Sequence, residues 1–259
     1  MHIWIIEFAS AVLSSLVAVS IGSGGDVLFL SSTIFLVPLI SHHALNTYNV
    51  GPLVAVQGII ATLLGGIAYA RIVNIPKKFT LRAIATVTIG SICSSVVAFF
   101  LPSETLKLIL AIAITLGALR VIVVSKKKRH ESRRITLRTE SKLLLVIFLI
   151  SILTGSVGVG GGFLFFLALM RIFPLGRSLR GLTLILTCTN LVASFLGHAL
   201  TVTVSFGSIS IVMLGAVAGS ILGASLIRRL SEKTAQLGLQ ILLAGSAIMS
   251  WIAWSAIAH

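Results

Sequence analysis

Apolar residues run along almost the whole chain, and short polar joints divide them into blocks. The blocks predict ten helical segments, five on each side of a basic stretch near the middle of the chain. The segments cover about residues 3–20, 26–40, 45–70, 81–101, 105–125, 142–157, 162–173, 181–204, 207–227 and 235–256. We therefore predict an all-α polytopic membrane protein with two five-segment halves. One repeat spans 1–125, a linker spans 126–142, and a second repeat spans 143–259, all within one integrated transmembrane domain.

The second segment of each half is short. Segments 26–40 and 162–173 contain 15 and 12 residues, which at 1.5 Å per residue reach about 18–23 Å of a hydrocarbon core about 30 Å thick. Each pair of segments that opens a half therefore either crosses incompletely or enters the membrane and returns. Short segments at corresponding positions of two halves indicate the central site of a transporter.

A glycine-rich turn precedes each short segment, and the two turns lie 136 positions apart. The same offset relates Pro38 to Pro174 and Thr47 to Thr183. The turns consist of Gly22, Ser23, Gly24, Gly25 and Asp26 in the first half, and of Gly158, Val159, Gly160, Gly161 and Gly162 in the second. This register predicts a duplicated unit. Because each half has an odd number of segments, the second copy is expected to be inverted across the membrane.

Composition and charge predict that the molecule lies in a membrane and how it is oriented there. Apolar residues make up 57% of the chain, charged residues 10%, and the mean hydropathy is +1.12. The net charge is +14, and the basic residues concentrate in the joints at 71–82, 126–142, 171–180 and 228–233. The positive-inside rule places these joints in the cytoplasm and both termini outside. We expect a multi-pass protein of the cell membrane whose partners are membrane lipids and not nucleic acid.

The glycine turns are the candidate binding site. Glycine lets backbone approach a ligand closely, and the first N–H groups of the helix after each turn have no intrahelical partner. Such donors suit a small anion. The candidate substrate-binding residues of the turns are Gly22, Ser23, Gly24, Gly25, Gly158, Gly160, Gly161 and Gly162. The alternative reading is that the glycines only permit helices to pack closely.

A polar face supplies the other candidates. Its members follow helical spacing on segment 181–204, and they are Thr183, Thr187, Asn190, Ser194 and His198. On the corresponding segment of the first half, Asn46 and Thr47 are candidates too. Polar side chains in lipid face protein or a cavity, so each of these residues bonds either a substrate or a neighbouring helix.

Asp26 is the one aspartate of the chain, and it stands where the second turn has Gly162. At a helix start it is a cap, a group that carries a proton or a ligand of a cation, and His198 is a second candidate for proton coupling. Cys93 and Cys188 lie within apolar segments, where packing is their expected role. The sequence predicts no cofactor and no metal site.

At these residues the chain resembles the TauE/SafE family of sulfite and organosulfur-anion exporters. That family has two related halves, each with a GxGGG-type turn, a later proline and a threonine step. The second turn matches the pattern, as does Asn190, whereas Asp26 replaces the last glycine of the first turn. The resemblance covers essentially the whole chain. It implies export of a small sulfur-containing anion, such as sulfite, a sulfonate such as sulfoacetate, or thiosulfate.

The prediction is therefore a secondary transporter that works by alternating access, with Thr47, Thr183 and Asn190 orienting the anion. A gated anion channel and a transporter of a non-sulfur anion are the alternatives, and a homo-oligomer is left open. Catalysis is not expected. An intramembrane aspartyl protease needs a second aspartate, a Ser23–His198 dyad would need glycine in place of Ile21, and no HExxH motif is present.

Overall fold

The computed structural model describes residues 2–23, 25–30, 32–33, 47–100, 105, 108, 111–112, 115–116, 119, 137–170, 172–173, 176–198 and 206–255. All regular secondary structure in these ranges is helical, and none of it is strand. The prediction of an all-α protein is confirmed at this level.

Eight helices have both of their ends within the described ranges. They are α1 (His2–Ile21), α2 (Thr47–Ala70), α3 (Lys77–Phe100), α4 (Leu137–Val157), α5 (Gly162–Leu169), α6 (Arg177–His198), α7 (Phe206–Ile227) and α8 (Glu232–Ser255). Residues 25–30 and 32–33 are helical as well, as are the described positions between 105 and 119. The remaining parts of predicted segments 26–40 and 105–125 lie outside the described residues.

The helices extend past the apolar runs at their basic ends. α3 begins at Lys77, α4 at Leu137 and α6 at Arg177, four to five residues before the predicted starts at 81, 142 and 181. Long basic side chains can lay their apolar stems along a helix end while the charge reaches water, so a charged residue does not end a helix. Residues 137–142, which the sequence assigned to the linker, accordingly form the first turns of α4.

Four helices are long and apolar enough to cross a membrane, counted over the described part of the chain. They contain the windows Trp4–Ile21 in α1, Gly51–Ala70 in α2, Arg177–Leu196 in α6 and Phe206–Ile227 in α7. α5 differs from them because its eight residues span only about 12 Å. The chain is a membrane protein, and the orientation of its termini stays a prediction.

The first helix of each half packs against the fourth segment of the other half. The first helix of the first half, α1, packs along α7, the fourth segment of the second half. The first helix of the second half, α4, packs along α3, the fourth segment of the first half. α2 and α6 contact each other, α2 also contacts α7, and α6 also contacts α3. A two-fold relation between halves produces such a pattern, although the inverted arrangement itself remains a prediction.

Small residues allow these helices to approach. A Cβ atom on Gly215 of α7 would lie 2.7 Å from the carbonyl oxygen of Phe8 in α1, and one on Gly219 would collide with the carbonyl of Val12. On the other pair, a Cβ atom on Gly90 of α3 would lie 2.9 Å from the carbonyl oxygen of Phe148 in α4. Close backbone approach at small residues is a principal source of helix association in membranes.

α5 lies inside the protein. Phe163, Phe165 and Leu169 are fully buried, and they belong to a core cluster that also contains Val27 and Leu186. Backbone that leaves a helix at membrane depth must be covered by protein or line a wet cavity. The burial of α5 provides that cover for the turn that precedes it.

Candidate functional site

The second turn connects α4 to α5 and requires glycine. Gly158 and Gly161 have φ of 76° and 69°, a left-handed conformation that other residues adopt only at a cost. Space is equally restricted, because a Cβ atom on Gly161 would lie 2.6 Å from Oγ1 of Thr154. A Cβ atom on Gly160 would lie 2.5 Å from Cγ2 of Thr187. Larger residues are therefore excluded both by backbone conformation and by close neighbours.

Asn190 holds this turn in place. Its Nδ2 donates to the carbonyl oxygens of Gly160 at 3.1 Å and Val159 at 3.4 Å, and to Oγ1 of Thr154 at 2.9 Å. Its Oδ1 accepts from the hydroxyl of Ser91 on α3. The Asn190 amide therefore joins α3, α4 and α6 to the turn, and both of its ends are used within the protein.

The direction of the turn's N–H groups follows from these bonds. In a trans peptide the C=O and N–H groups point in opposite directions, and the described residues contain no cis peptide. The carbonyls of Val159 and Gly160 face Asn190, so the N–H groups of Gly160 and Gly161 face away from it. We call these two N–H groups the cradle.

The first turn ends α1. Gly22 has φ of 86°, and its N–H donates to the carbonyl oxygen of Ala18 at 2.9 Å. A Cβ atom on Gly22 would collide with the side-chain stem of Arg180, and one on Gly25 would collide with Ala18. Glycine is thus required at both positions, as it is in the second turn.

The two turns meet. A Cβ atom on Gly162 would lie 3.6 Å from Oγ of Ser23. The Asp26 carboxyl group lies within hydrogen-bonding reach of the cradle as well as of its own N–H and that of Val27. Segments that are far apart in the chain therefore form one site, at the level of Thr187 near the middle of α6.

Where the two turns meet, two buried polar side chains each have an atom that makes no hydrogen bond to the described residues. Ser23 and Asp26 are 2% and 4% exposed, and Oγ of Ser23 and Oδ2 of Asp26 have no hydrogen-bond partner among the described residues. Buried polar atoms are nearly always paired in native proteins. Both atoms are therefore positioned to bind a ligand or water.

The predicted polar face of α6 is buried. Thr183, Thr187, Asn190 and Ser194 are each at most 2% exposed. The hydroxyl of Thr187 donates to the carbonyl oxygen of Thr183 at 2.8 Å, and that of Thr183 donates to Leu179 at 2.9 Å. Thr187 borders Gly160 and Gly162, whereas Thr183 lies one helical turn before it. The hydroxyl groups of both threonines therefore donate to backbone carbonyls of their own helix.

Four predicted site residues receive no structural test. Gly24 and Asn46 lie outside the described residues, and so do the side chains of Thr47 and His198. No group of three or more His, Cys, Asp or Glu side chains comes together within the described ranges.

Arg180 lies next to the first turn, and the sequence analysis did not predict it as a residue near the site. It is 7% exposed in the first turn of α6, its stem packs on Gly22, and its Nη2 donates to the carbonyl oxygen of Glu232 at 3.4 Å. Its guanidinium also contacts Tyr69 of α2. The sequence placed Arg180 in a cytoplasmic joint. Its spacing of three residues before Thr183, which continues the polar face backwards, was the available signal.

Comparison with known proteins gave one match. A family model described as "Sulfite exporter TauE/SafE" matches residues 7–250. The searches of curated proteins and of solved structures found no significant match.

Proposed function

The chain belongs to the TauE/SafE sulfite exporter family, a family of transporters rather than enzymes, and on that premise we propose that it is a secondary carrier exporting a small sulfur-containing anion. Sulfite, a sulfonate such as sulfoacetate, and thiosulfate are the proposed substrates. The cell membrane is the proposed location, with residues 126–142 in the cytoplasm and both termini outside.

The meeting of the two turns is the observation that carries this proposal. The cradle supplies two backbone donors, and the hydroxyl of Ser23 supplies a third that has no partner among the described residues. Hydrogen bonds from backbone N–H groups to an oxyanion are short and strong, and they are stronger still away from water. Buried donors from two halves of a transporter therefore suit a small oxyanion near the midplane.

Other residues take positioning roles in this proposal. Asn190 was expected to orient the anion directly, but its bonds go to Val159, Gly160 and Thr154, so we assign it the role of aiming the cradle. Thr187 borders the site. Thr183 and Thr47 remain proposed orienting residues, Thr183 through its bond network along α6.

Alternating access would arise from movement of one half against the other. Each half's opening helix packs on the fourth segment of the opposite half, so a rocking motion changes both sides of the site together. Arg180, buried beside Gly22 at the start of α6, would place a positive charge on the cytoplasmic approach. An anion entering from that side meets a favourable field before it reaches the turns.

Proton coupling through Asp26 is part of the proposal, and His198 is the second candidate. An ionised Asp26 and an oxyanion would repel each other at the same donors, whereas a protonated Asp26 is neutral. The described groups that reach Asp26 are backbone N–H groups. Among the described residues, the other buried charged side chains are Glu7, near the start of α1, and Arg180, in the first turn of α6. Asp26→Asn is expected to flatten the pH dependence of transport measured in proteoliposomes, and an unchanged pH profile would refute the coupling role.

Transport in proteoliposomes tests the function itself. Purified protein should give saturable uptake of sulfite or thiosulfate, and a gradient of unlabelled anion should drive labelled anion uphill. Ohmic single-channel currents would instead establish a channel. A thermal-shift panel of sulfite, sulfate, thiosulfate, sulfoacetate and taurine identifies the substrate class, because stabilisation rises with ligand occupancy. Stabilisation by a non-sulfur anion alone would exclude the sulfur assignment.

A further inference from the structure

The two turns are matched in sequence except at one chemically decisive position. The 136-residue offset that pairs the turns places Asp26 opposite Gly162. The carboxyl group that distinguishes the first turn reaches across to the cradle of the second turn. The one acidic group of the turn pair thus lies at the donors that a substrate anion would use.

We propose that the Asp26 carboxylate is the resident anion of this site: it occupies the cradle when no substrate is bound, and an incoming oxyanion binds by displacing it. This deepens the proposed function, on which the identity of the displacing anion rests. The occupancy of the cradle by a carboxylate is a separate statement about the chain, and it can be tested without any sulfur compound.

The cradle is built to hold an anion. Asn190 fixes the carbonyls of Val159 and Gly160, which aims both N–H groups away from α6. The left-handed φ of Gly161 and the contact of Gly161 with Thr154 keep that conformation. Rigid donors lose little entropy when they bind, so a small anion is held without rearrangement.

The carboxylate is held incompletely, which permits displacement. Oδ2 of Asp26 has no hydrogen-bond partner among the described residues although it is buried, and Oγ of Ser23 beside the cradle has none either. An oxyanion with a third oxygen, such as sulfite or a sulfonate head group, can accept from Ser23 in addition to the cradle. A substrate therefore satisfies one more buried donor than Asp26 does. Protonation of the displaced Asp26, as in the proposed coupling, removes the charge that would otherwise repel the bound anion, and together these terms favour exchange.

The experiment removes the resident anion and offers a replacement. Asp26→Gly restores the residue that the second turn has at this position, and Asp26→Asn keeps the volume of the side chain without its charge. Formate is the probe for the vacant cradle, because it is a carboxylate of minimal size. Thermal unfolding of the purified full-length protein and both variants is followed at fixed pH in formate, in sulfite and in chloride at equal ionic strength.

Glu7→Gly is the matched control. Glu7 is a buried carboxyl residue with an unpartnered oxygen, like Asp26, but it contacts Ser208 of α7. Glu7 lies 14 positions before Ile21 in α1, about 21 Å along the helix axis. Formate should therefore leave the melting temperature of Glu7→Gly no higher than chloride does.

The expected result is a saturable rise in melting temperature of Asp26→Gly in formate, with no rise in the wild-type protein. Sulfite should bind both Asp26 variants at least about 10-fold more tightly than the wild type, the factor expected when the site is free in about a tenth of molecules. Failure of formate to stabilise Asp26→Gly, or equal stabilisation of the wild type, would overturn the proposal.

The outcomes for the inference and for the proposed function are separable. Formate rescue of Asp26→Gly without any binding of sulfite would support the resident carboxylate and count against the sulfur substrate. Equal sulfite affinity in the wild type and both variants would support the substrate and overturn the resident carboxylate. If Asp26→Gly does not fold, the sulfite affinity of Asp26→Asn decides, because a tighter Kd supports displacement and an unchanged Kd overturns it.

Discussion

The two glycine turns share a backbone plan and contribute different chemistry to one site. The first turn contributes side chains, namely the hydroxyl of Ser23 and the carboxyl group of Asp26. The second contributes backbone N–H groups, which Asn190 aims from behind. Both turns need glycines with positive φ. In the proposed site, two similar turns thus supply one side with backbone donors and one side with a carboxyl group of its own.

The helices that surround the turns do not differ between the two halves in this way. α1 packs on α7 as α4 packs on α3, and glycines permit close approach in both pairs. The difference between the halves is therefore concentrated at the atoms of the proposed site. If the halves are copies of one unit, the packing of their helices has been kept while one substitution, Asp26 opposite Gly162, separates the roles of the two turns. Four measurements test this division of roles.

The largest effect is expected for Gly161→Ala. Alanine in a left-handed conformation costs about 1–2 kcal/mol, and the collision with Thr154 adds about 1–3 kcal/mol of overpacking. The cradle should shift, so transport falls at least about 100-fold, as expected when anion-binding backbone donors are misplaced. The readouts are anion flux in proteoliposomes and the melting temperature.

Gly22→Ala gives the first-turn counterpart and Gly245→Ala the control. Gly22→Ala should lower the melting temperature, because Gly22 has positive φ and lies against Arg180. It should weaken anion binding less than Gly161→Ala does, because the cradle stays intact and only Ser23 beside it shifts. A Cβ atom on Gly245 would meet nothing within 4 Å. Normal transport by Gly161→Ala would show that the second turn is not the donor side.

Asn190→Leu should have the next largest effect. It leaves the carbonyls of Val159 and Gly160 without the amide that binds them, and a buried unsatisfied group costs about 1–3 kcal/mol. We expect a lower melting temperature and a fall in flux of about 10- to 100-fold for every anion, as this free energy implies. Ser194→Ala is the control, since the hydroxyl of Ser194 donates to the carbonyl oxygen of Leu191 within α6 and has no other partner among the described residues. A changed preference among anions at an unchanged melting temperature would instead mean that Asn190 touches the substrate.

Ser23→Ala should affect binding and not stability. Oγ of Ser23 has no partner among the described residues, so its removal breaks no bond of the free protein. Loss of one hydrogen bond, about 1–1.5 kcal/mol, should raise KM about 5- to 10-fold. The control is Ser20→Ala, because Ser20 bonds to the carbonyl oxygen of Val17. A drop in melting temperature with unchanged KM would assign Ser23 to the framework.

The smallest effect is expected for the threonines of α6. Thr187→Val should raise KM by about 2- to 3-fold and Thr183→Val by less, because a hydroxyl bonded to its own helix contributes little. Thr187 borders Gly162 and Thr183 does not. Flux measured against anion concentration gives both values. A larger effect of Thr183→Val would place the site one helical turn nearer the N-terminal end of α6.

The sequence predicted the class and most helices because apolar length and basic joints are local properties. It underestimated α3, α4 and α6 at their basic ends, because helices continue through charged residues that reach water. For the same reason Arg180 was placed in a joint, although it is buried in the first turn of α6.

The sequence predicted which residues share the buried face of α6, but it did not predict what they contact. Helical spacing predicted a common face for Thr183, Thr187 and Asn190, and these residues are all buried. Spacing along one helix cannot tell whether an amide binds a ligand or a neighbouring turn, and for Asn190 the structure shows the turn. Nor can a sequence offset tell that equivalent turns face each other, since that depends on how α1 and α4 pack into opposite halves.

The burial of α5 has a consequence for how the chain is made. Eight residues are too few for a membrane-inserted helix that must cover about 30 Å. α5 is surrounded by the core that contains Leu182 and Leu186 of α6, which is synthesised after it. During translation, the second turn and α5 are therefore not fully covered by protein until α6 has been made.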